Sequence, residues 1–260
     1  RLCKEFLGRC EEKGYVEGLW KRYRELVKKV RRLDCDGVED LETDELIAGY
    51  DEYWKALYPT IGVCHIIEAF SMGCDRKILD NIKDLDADVV MRICEKSWIY
   101  QEEEELDALK KSPKTLWESL LGAHAHKYRW MNNCYTGAKH LGVEHFRERM
   151  KQLEFVASDF DALRREKADA MKGLDPETRK LVSIAHGLTL WQDERKKDIM
   201  ISLETLDRYL GEIAKRFGID HDLIRYMVPG EITKEKLEKV TNSVLEFRRE
   251  GIVILSNIDG

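Results

Sequence analysis

The sequence predicts an all-α protein, a multi-helix array with long antiparallel helices and one short C-terminal strand. Three observations predict it. Charged residues make up 36% of the 260 positions, against 9% aromatics and only 4 prolines, a balance that suits long solvent-facing helices better than sheets. Apolar residues recur three and four apart through most of the chain, the spacing of one helix face. The longest such series joins Ile184, Leu188, Trp191, Ile199, Leu203, Leu206, Leu210, Ile213 and Phe217.

Leu19, Tyr23, Leu26, Val27 and Val30 give the first clear helical face, with the basic run Lys28, Lys29, Arg31 and Arg32 off it as a solvated C-terminal end. Asp34–Gly37 is the stop. A second helix starts near Thr43, with Asp44 and Glu45 in its first turn, and runs toward Pro59. Residues 61–70 are apolar enough for a buried helix or a strand. Short helices are expected around 75–84 and 86–96. The acidic run Gln101–Glu105 reads as an exposed helical face. Ser112 and Pro113 read as a cap and first turn for a helix with Trp117, Leu121, His124, Tyr128, Met131 and Tyr135 on one stripe. A single helix is expected from Val143 to about Ala170. Asp175-Pro176-Glu177 opens the long helix that ends near Gly218. A shorter one follows at 219–226, Pro229-Gly230 breaks the chain, and a last helix covers about 233–249. Ile252 to Leu255 is the strand candidate.

The length admits one large domain or two small ones. The expected division is an N-terminal helical subdomain at 1–111, a main helical domain at 112–250, and the start of a following domain at 251–260. The chain begins on Arg1 and stops directly after an apolar run, so it reads as a piece of a longer protein. A net charge of −6 argues against a general nucleic-acid surface. No stretch has the apolar length of a membrane span. Seven scattered cysteines without a Cys-x-x-Cys pair fit reduced thiols in a cytoplasmic protein.

The residues offer little catalytic chemistry. No nucleophile elbow, phosphate-binding glycine loop or dinucleotide fingerprint occurs, so no catalytic residue is assigned. His124, His126, His140, Glu144 and His145 are the best metal candidates, but His124 and His126 diverge on a helix. A partly buried His124 beside Tyr128 with surface histidines around it is the expected arrangement, with no metal. The sharpest local conflict is Arg195, which falls on the apolar stripe between Trp191 and Ile199. A guanidinium keeps its charge, so on a buried face it must find an anion or acceptors. Either it pairs with Asp198 or a carboxylate of a neighbouring helix, or it presents its fork to a phosphate or carboxylate ligand, with Gln192 one turn before it.

Three segments carry a family resemblance: His126–Tyr135; Asp193–Lys197 followed by Leu206, Tyr209 and Ile213–Gly218; and Ile224–Ile232. Together they resemble the central helical region of phosphoenolpyruvate-synthase-like phosphotransferases, the group that includes rifampin phosphotransferase. The resemblance covers about residues 120–260. It implies a parent protein with an ATP-binding half that uses ATP and Mg, and a mobile phosphohistidine domain, on the same or a separate chain. The glycine-rich histidine motif of that mobile domain is absent from this chain. The segment is therefore expected to be non-catalytic by itself. It would bind a small acceptor or anion and frame the mobile domain, with Trp117, Tyr128, Trp130, Met131 and Trp191 as walls and Arg195, Gln192 and His124 as polar groups. No cofactor of its own is implied. The alternative is a stand-alone helical interaction or regulatory module whose grooves take a partner's helix.

Overall fold

The computed structural model describes residues 2–34, 36–68, 78–134 and 137–251, with backbone alone for Leu2, Cys3, Lys4 and Leu7. The described residues are all-α. Their one bridge, between Cys134 and Gly137, closes a tight loop rather than opening a sheet. The strand expected at 252–255 and part of the helix expected at 75–84 lie outside the described residues.

The helices whose full bounds are described are α1 (Leu2–Cys10), α2 (Tyr15–Arg32), α3 (Thr43–His65), α4 (Ala87–Met91), α5 (Trp98–Lys110), α6 (Trp117–Tyr128), α7 (Val143–Gln152), α8 (Phe160–Met171), α9 (Pro176–Phe217), α10 (Lys234–Leu237) and α11 (Asn242–Glu250), and residues 78–81 are helical as well. No described helix is long and apolar enough to cross a membrane. The chain forms two compact units. Unit one comprises 1–25 and 60–201, unit two 26–59 and 202–260, so α2, α3 and α9 each contribute to both. Both sides of the 111/112 boundary expected from the sequence fall in unit one.

In unit one, α5, α6 and α7 pack around Leu106, Leu109, Leu121, Ala125, Tyr128, Trp130, Phe146 and Met150. In unit two, the buried set includes Leu46, Tyr50, Tyr53, Tyr209, Ile213, Ile224 and Leu245. There α3 and α9 approach closely at Gly49. A Cβ at that position would lie 3.1 Å from the Tyr209 ring, so a larger residue would push the ring away. The Tyr53 hydroxyl donates to the carbonyl of Ser202 at 3.1 Å. Glu231 accepts from the backbone N–H of Val228 at 3.0 Å and grips Arg248 of α11 at 2.5 and 2.9 Å. That bidentate pair holds the Glu231 carboxyl below its ordinary value. The Pro-Gly-Glu passage thus locks the last helix onto the turn before it.

Several boundaries differ from the sequence reading, each for a local reason. Helix α3 passes through Pro59 and continues to His65. Proline costs a helix one hydrogen bond, but Leu57, Thr60 and Cys64 are all buried on the flanking turns and hold it. Ser112 closes α5 rather than opening α6: its hydroxyl donates to the carbonyl of Leu109 at 2.7 Å. A 3-10 turn at Lys114–Leu116 then leads into α6, which ends at Tyr128. The single helix expected from Val143 to Ala170 is two, because residues 153–159 are non-helical and Asp159 starts α8 by accepting the Ala162 N–H at 2.9 Å. The helices expected at 86–96 and 233–249 are shorter segments, α4 and then α10 with α11, and only a 3-10 turn occupies 224–226.

The long helix starts and stops where expected. Gly218 follows it with φ +66°, a left-handed conformation that lets the chain leave the helix. Gly218→Ala is expected to cost about 1 kcal/mol, read as a small drop in denaturation midpoint with the denaturant slope unchanged. A rise in midpoint would show that the turn tolerates a side chain.

Candidate functional site

Six of the residues singled out from the sequence fall into two clusters in unit one. Trp191, Gln192 and Arg195 lie on α9. His124, Tyr128 and Trp130 lie on and just after α6.

In the α9 cluster, Trp191 is completely buried. Its ring stacks on Trp20 at 5.7 Å between centroids and meets Tyr23 at 5.4 Å, both from α2. One turn on, Arg195 is 5% exposed. Its Nη1 forms an ion pair with Glu68, so a neighbouring carboxylate is present as one of the two sequence readings required. The pairing is not a complete hydrogen-bonding solution. Neither Nε nor Nη1 of Arg195 makes a well-aligned hydrogen bond among the described residues, and Glu68 keeps 41% of its side chain exposed. Gln192 is half-buried beside it.

Around this guanidinium sit groups held in fixed protonation states. The Tyr23 hydroxyl donates to Asp198 at 2.8 Å. Burial first, and then the Asp198 carboxylate, push that phenol far above its ordinary value, so it stays a donor. Burial also pushes the Cys64 thiol up to about 11, with Arg195 pulling the other way. Cys64 is therefore a packed thiol, not a nucleophile.

In the α6 cluster, His124 is buried, with its ring 4.8 Å from Tyr128 and edge-on to Phe146 at 5.0 Å. His126 is exposed, as its divergence from His124 on the helix predicts, and His140 and His145 are exposed as well. No group of three or more His, Cys, Asp or Glu among the described residues is arranged to hold a metal ion. Trp130 is buried; its indole N–H donates to the Lys127 carbonyl at 2.8 Å and its ring meets Trp98 at 5.2 Å.

The partner of His124 is a correction to the sequence reading. The acidic run at 101–105 is not uniformly exposed: Glu102 is fully buried. Its carboxylate accepts from His124 Nε2 at 3.2 Å and from Arg149 Nε and Nη2 at 3.1 and 2.8 Å. Burial alone would raise this carboxyl; the hydrogen bonds from His124 and Arg149 outweigh it and hold the group below its ordinary value. The signal was present in the sequence, since Glu102, Leu106 and Leu109 are spaced as one stripe. Consecutive acids hid it.

A surface pocket of about 380 Å³ opens beside this cluster. Ala108, Leu109, Leu120 and Ala123 line it, His124 is at its wall, and Glu105 and Lys127 pair across it at 2.6 Å. Its size and mostly apolar lining with a few polar groups suit a small molecule. Tyr128 and Trp130 belong to the packed core instead. Among the described residues, the pocket beside His124 includes neither Trp191, Gln192 nor Arg195. Asp193 of α9 accepts the Trp98 N–H at 3.4 Å between the two clusters, and burial raises its carboxyl.

No protein-family model matches this chain, and neither a curated protein nor a solved structure is significantly similar to it.

Proposed function

We propose that this chain is the helical, substrate-side region of a phosphoenolpyruvate-synthase-like phosphotransferase, non-catalytic by itself, which binds a small anion or acceptor. In this reading Arg195 is the anion seat and Trp191 its wall. Flanking ATP-binding and phosphohistidine domains of the parent supply the chemistry, with ATP and Mg bound there. A single observation carries it: a guanidinium 5% exposed that pairs through Nη1 with the half-exposed Glu68 while its Nε has no hydrogen-bond partner among the described residues. Such a group is costly to bury, and a bidentate oxyanion is the ligand that Arg geometry meets best. The pocket beside His124 supports the same reading by offering room for an acceptor.

The test is a thermal-shift series with phosphate, phosphoenolpyruvate, pyruvate, Mg-ATP and divalent metals. A ligand that binds only the native state raises the melting temperature with concentration. A shift with phosphate-bearing ligands is expected, and its loss in Arg195→Met. Helix content should survive, because Glu68 can be solvated where it stands. Absence of any shift in the wild-type chain, or a shift that persists in the variant, refutes the anion seat. A collapse of helix content in Arg195→Met would make the Glu68 pair a structural necessity.

A further inference from the structure

A second polar cluster in unit one lies outside both groups described above. Lys167 of α8 is only 8% exposed. Its Nζ donates to the carbonyl of Arg92 at 2.7 Å, just past the end of α4, and contacts Nδ1 of His186 on α9 at 2.9 Å. The other nitrogen of that imidazole, Nε2, lies 3.0 Å from the carboxylate of Glu95.

The chain of contacts fixes the proton positions. A carboxylate only accepts, so Nε2 of His186 carries the hydrogen toward Glu95. Nδ1 then presents its lone pair to the lysine. A buried ammonium is thereby in contact with a base that a carboxylate is placed to stabilise once protonated, the arrangement of nucleophile, base and orienting acid. Burial holds the Lys167 amine below the ordinary lysine value, against the opposing pull of Cys94 and Glu95. The surrounding cations are engaged elsewhere: Arg92 with Glu166 at 2.6 Å and Arg164 with Asp161 at 3.3 Å. The cluster reaches the surface through its other two members, with 21% of the His186 and 42% of the Glu95 side chain exposed.

We propose that Lys167 is a nucleophilic amine that captures a small aldehyde or ketone as an imine, with His186 as its proton acceptor and Glu95 as the orienting group. His186 Nδ1 takes one proton from the ammonium, and the freed lone pair attacks the carbonyl carbon. A second proton passes from nitrogen to the carbonyl oxygen. The proton held by His186 then returns to that oxygen, which leaves as water while the C=N bond forms. Two of the three ammonium protons leave in the water, and no oxidant or reductant is consumed.

The experiment treats the full chain with acetaldehyde and cyanoborohydride at pH 7, then maps the ethylated lysines over time. Lys167 is expected to be modified faster than the exposed lysines, since His186 stands at 2.9 Å to take its proton. In His186→Gln its rate should fall to that of the other lysines, whose rates stay unchanged; Glu95→Gln should lower it partway. The wild-type time course decides alone if either variant fails to fold. A Lys167 that stays unmodified in the native chain but reacts in urea is a structural cation, and the proposal is then wrong. A Lys167 rate unaffected by His186→Gln would equally remove the relay.

Discussion

Arg149→Met should destabilise the chain by about 3–5 kcal/mol at neutral pH, the largest single effect expected of any charged residue here. Glu102 is completely buried, and Arg149 makes three of its hydrogen bonds. Without that fork the carboxylate keeps His124 alone among the described residues, in an apolar core of Leu106, Leu121 and Phe146. The signature is its pH dependence. In the wild type the folded carboxyl sits below its ordinary value. Its contribution is therefore full above the ordinary carboxylate range and is lost as pH falls through the folded value. In the variant, burial dominates and raises the carboxyl, so the sign reverses and stability falls as pH rises. Denaturant titrations at pH 4 and pH 7 should thus show a smaller gap between wild type and variant at the lower pH. The double variant Glu102→Leu/Arg149→Met should regain part of the loss, because it leaves no buried carboxylate unpaired although it removes the acceptor of His124 Nε2. A gap independent of pH would mean that the lost side-chain packing, not the charge, set the cost.

Trp191→Ala should cost a similar amount, about 3–5 kcal/mol, from lost transfer energy and the cavity it leaves. Trp191 is fully buried between Trp20 and Tyr23, and its indole N–H has no hydrogen-bond partner among the described residues. Trp191→Phe should therefore cost less than about 2 kcal/mol, since it keeps a ring in place and sacrifices no such bond. Equilibrium unfolding of the two variants separates the terms: equal losses would point to a hydrogen bond the indole makes and the ring does not. If Trp191 is also the wall of an anion seat, Trp191→Phe should retain the phosphate-dependent thermal shift that Arg195→Met loses.

The fold was legible in the sequence wherever periodicity and capping agreed. Asp175-Pro176 and Gly218 bracket the long helix because proline presets its first turn and glycine accepts the left-handed exit. Thr43 opened α3 for similar local reasons. Legibility failed where the decisive contact came from a distant element. Helical spacing puts Leu203 and Leu206 on the apolar stripe of α9, yet both are only half-buried, while Ser202 and Thr205 are buried. Thr205 is fixed by Asp34 at 2.5 Å, and Arg208 reaches the same carboxylate at 2.6 Å. Partners some 170 residues away made polar side chains the inward ones, which no local pattern encodes.

The candidate sites divide along the same line. Sequence alone determined that Arg195 would share a helical face with Trp191, because helix geometry places residues four apart on one side. It determined equally that His124 and His126 would point in different directions, while the full burial of His124 came from its neighbours. Only tertiary structure decided that Glu68 faces that guanidinium, that Glu102 leaves its acidic run for the core, and that Lys167 meets His186. The reason is physical. Helical spacing is a property of the local backbone, whereas the burial of a charge is settled by whether a partner from elsewhere in the chain arrives to offset its desolvation.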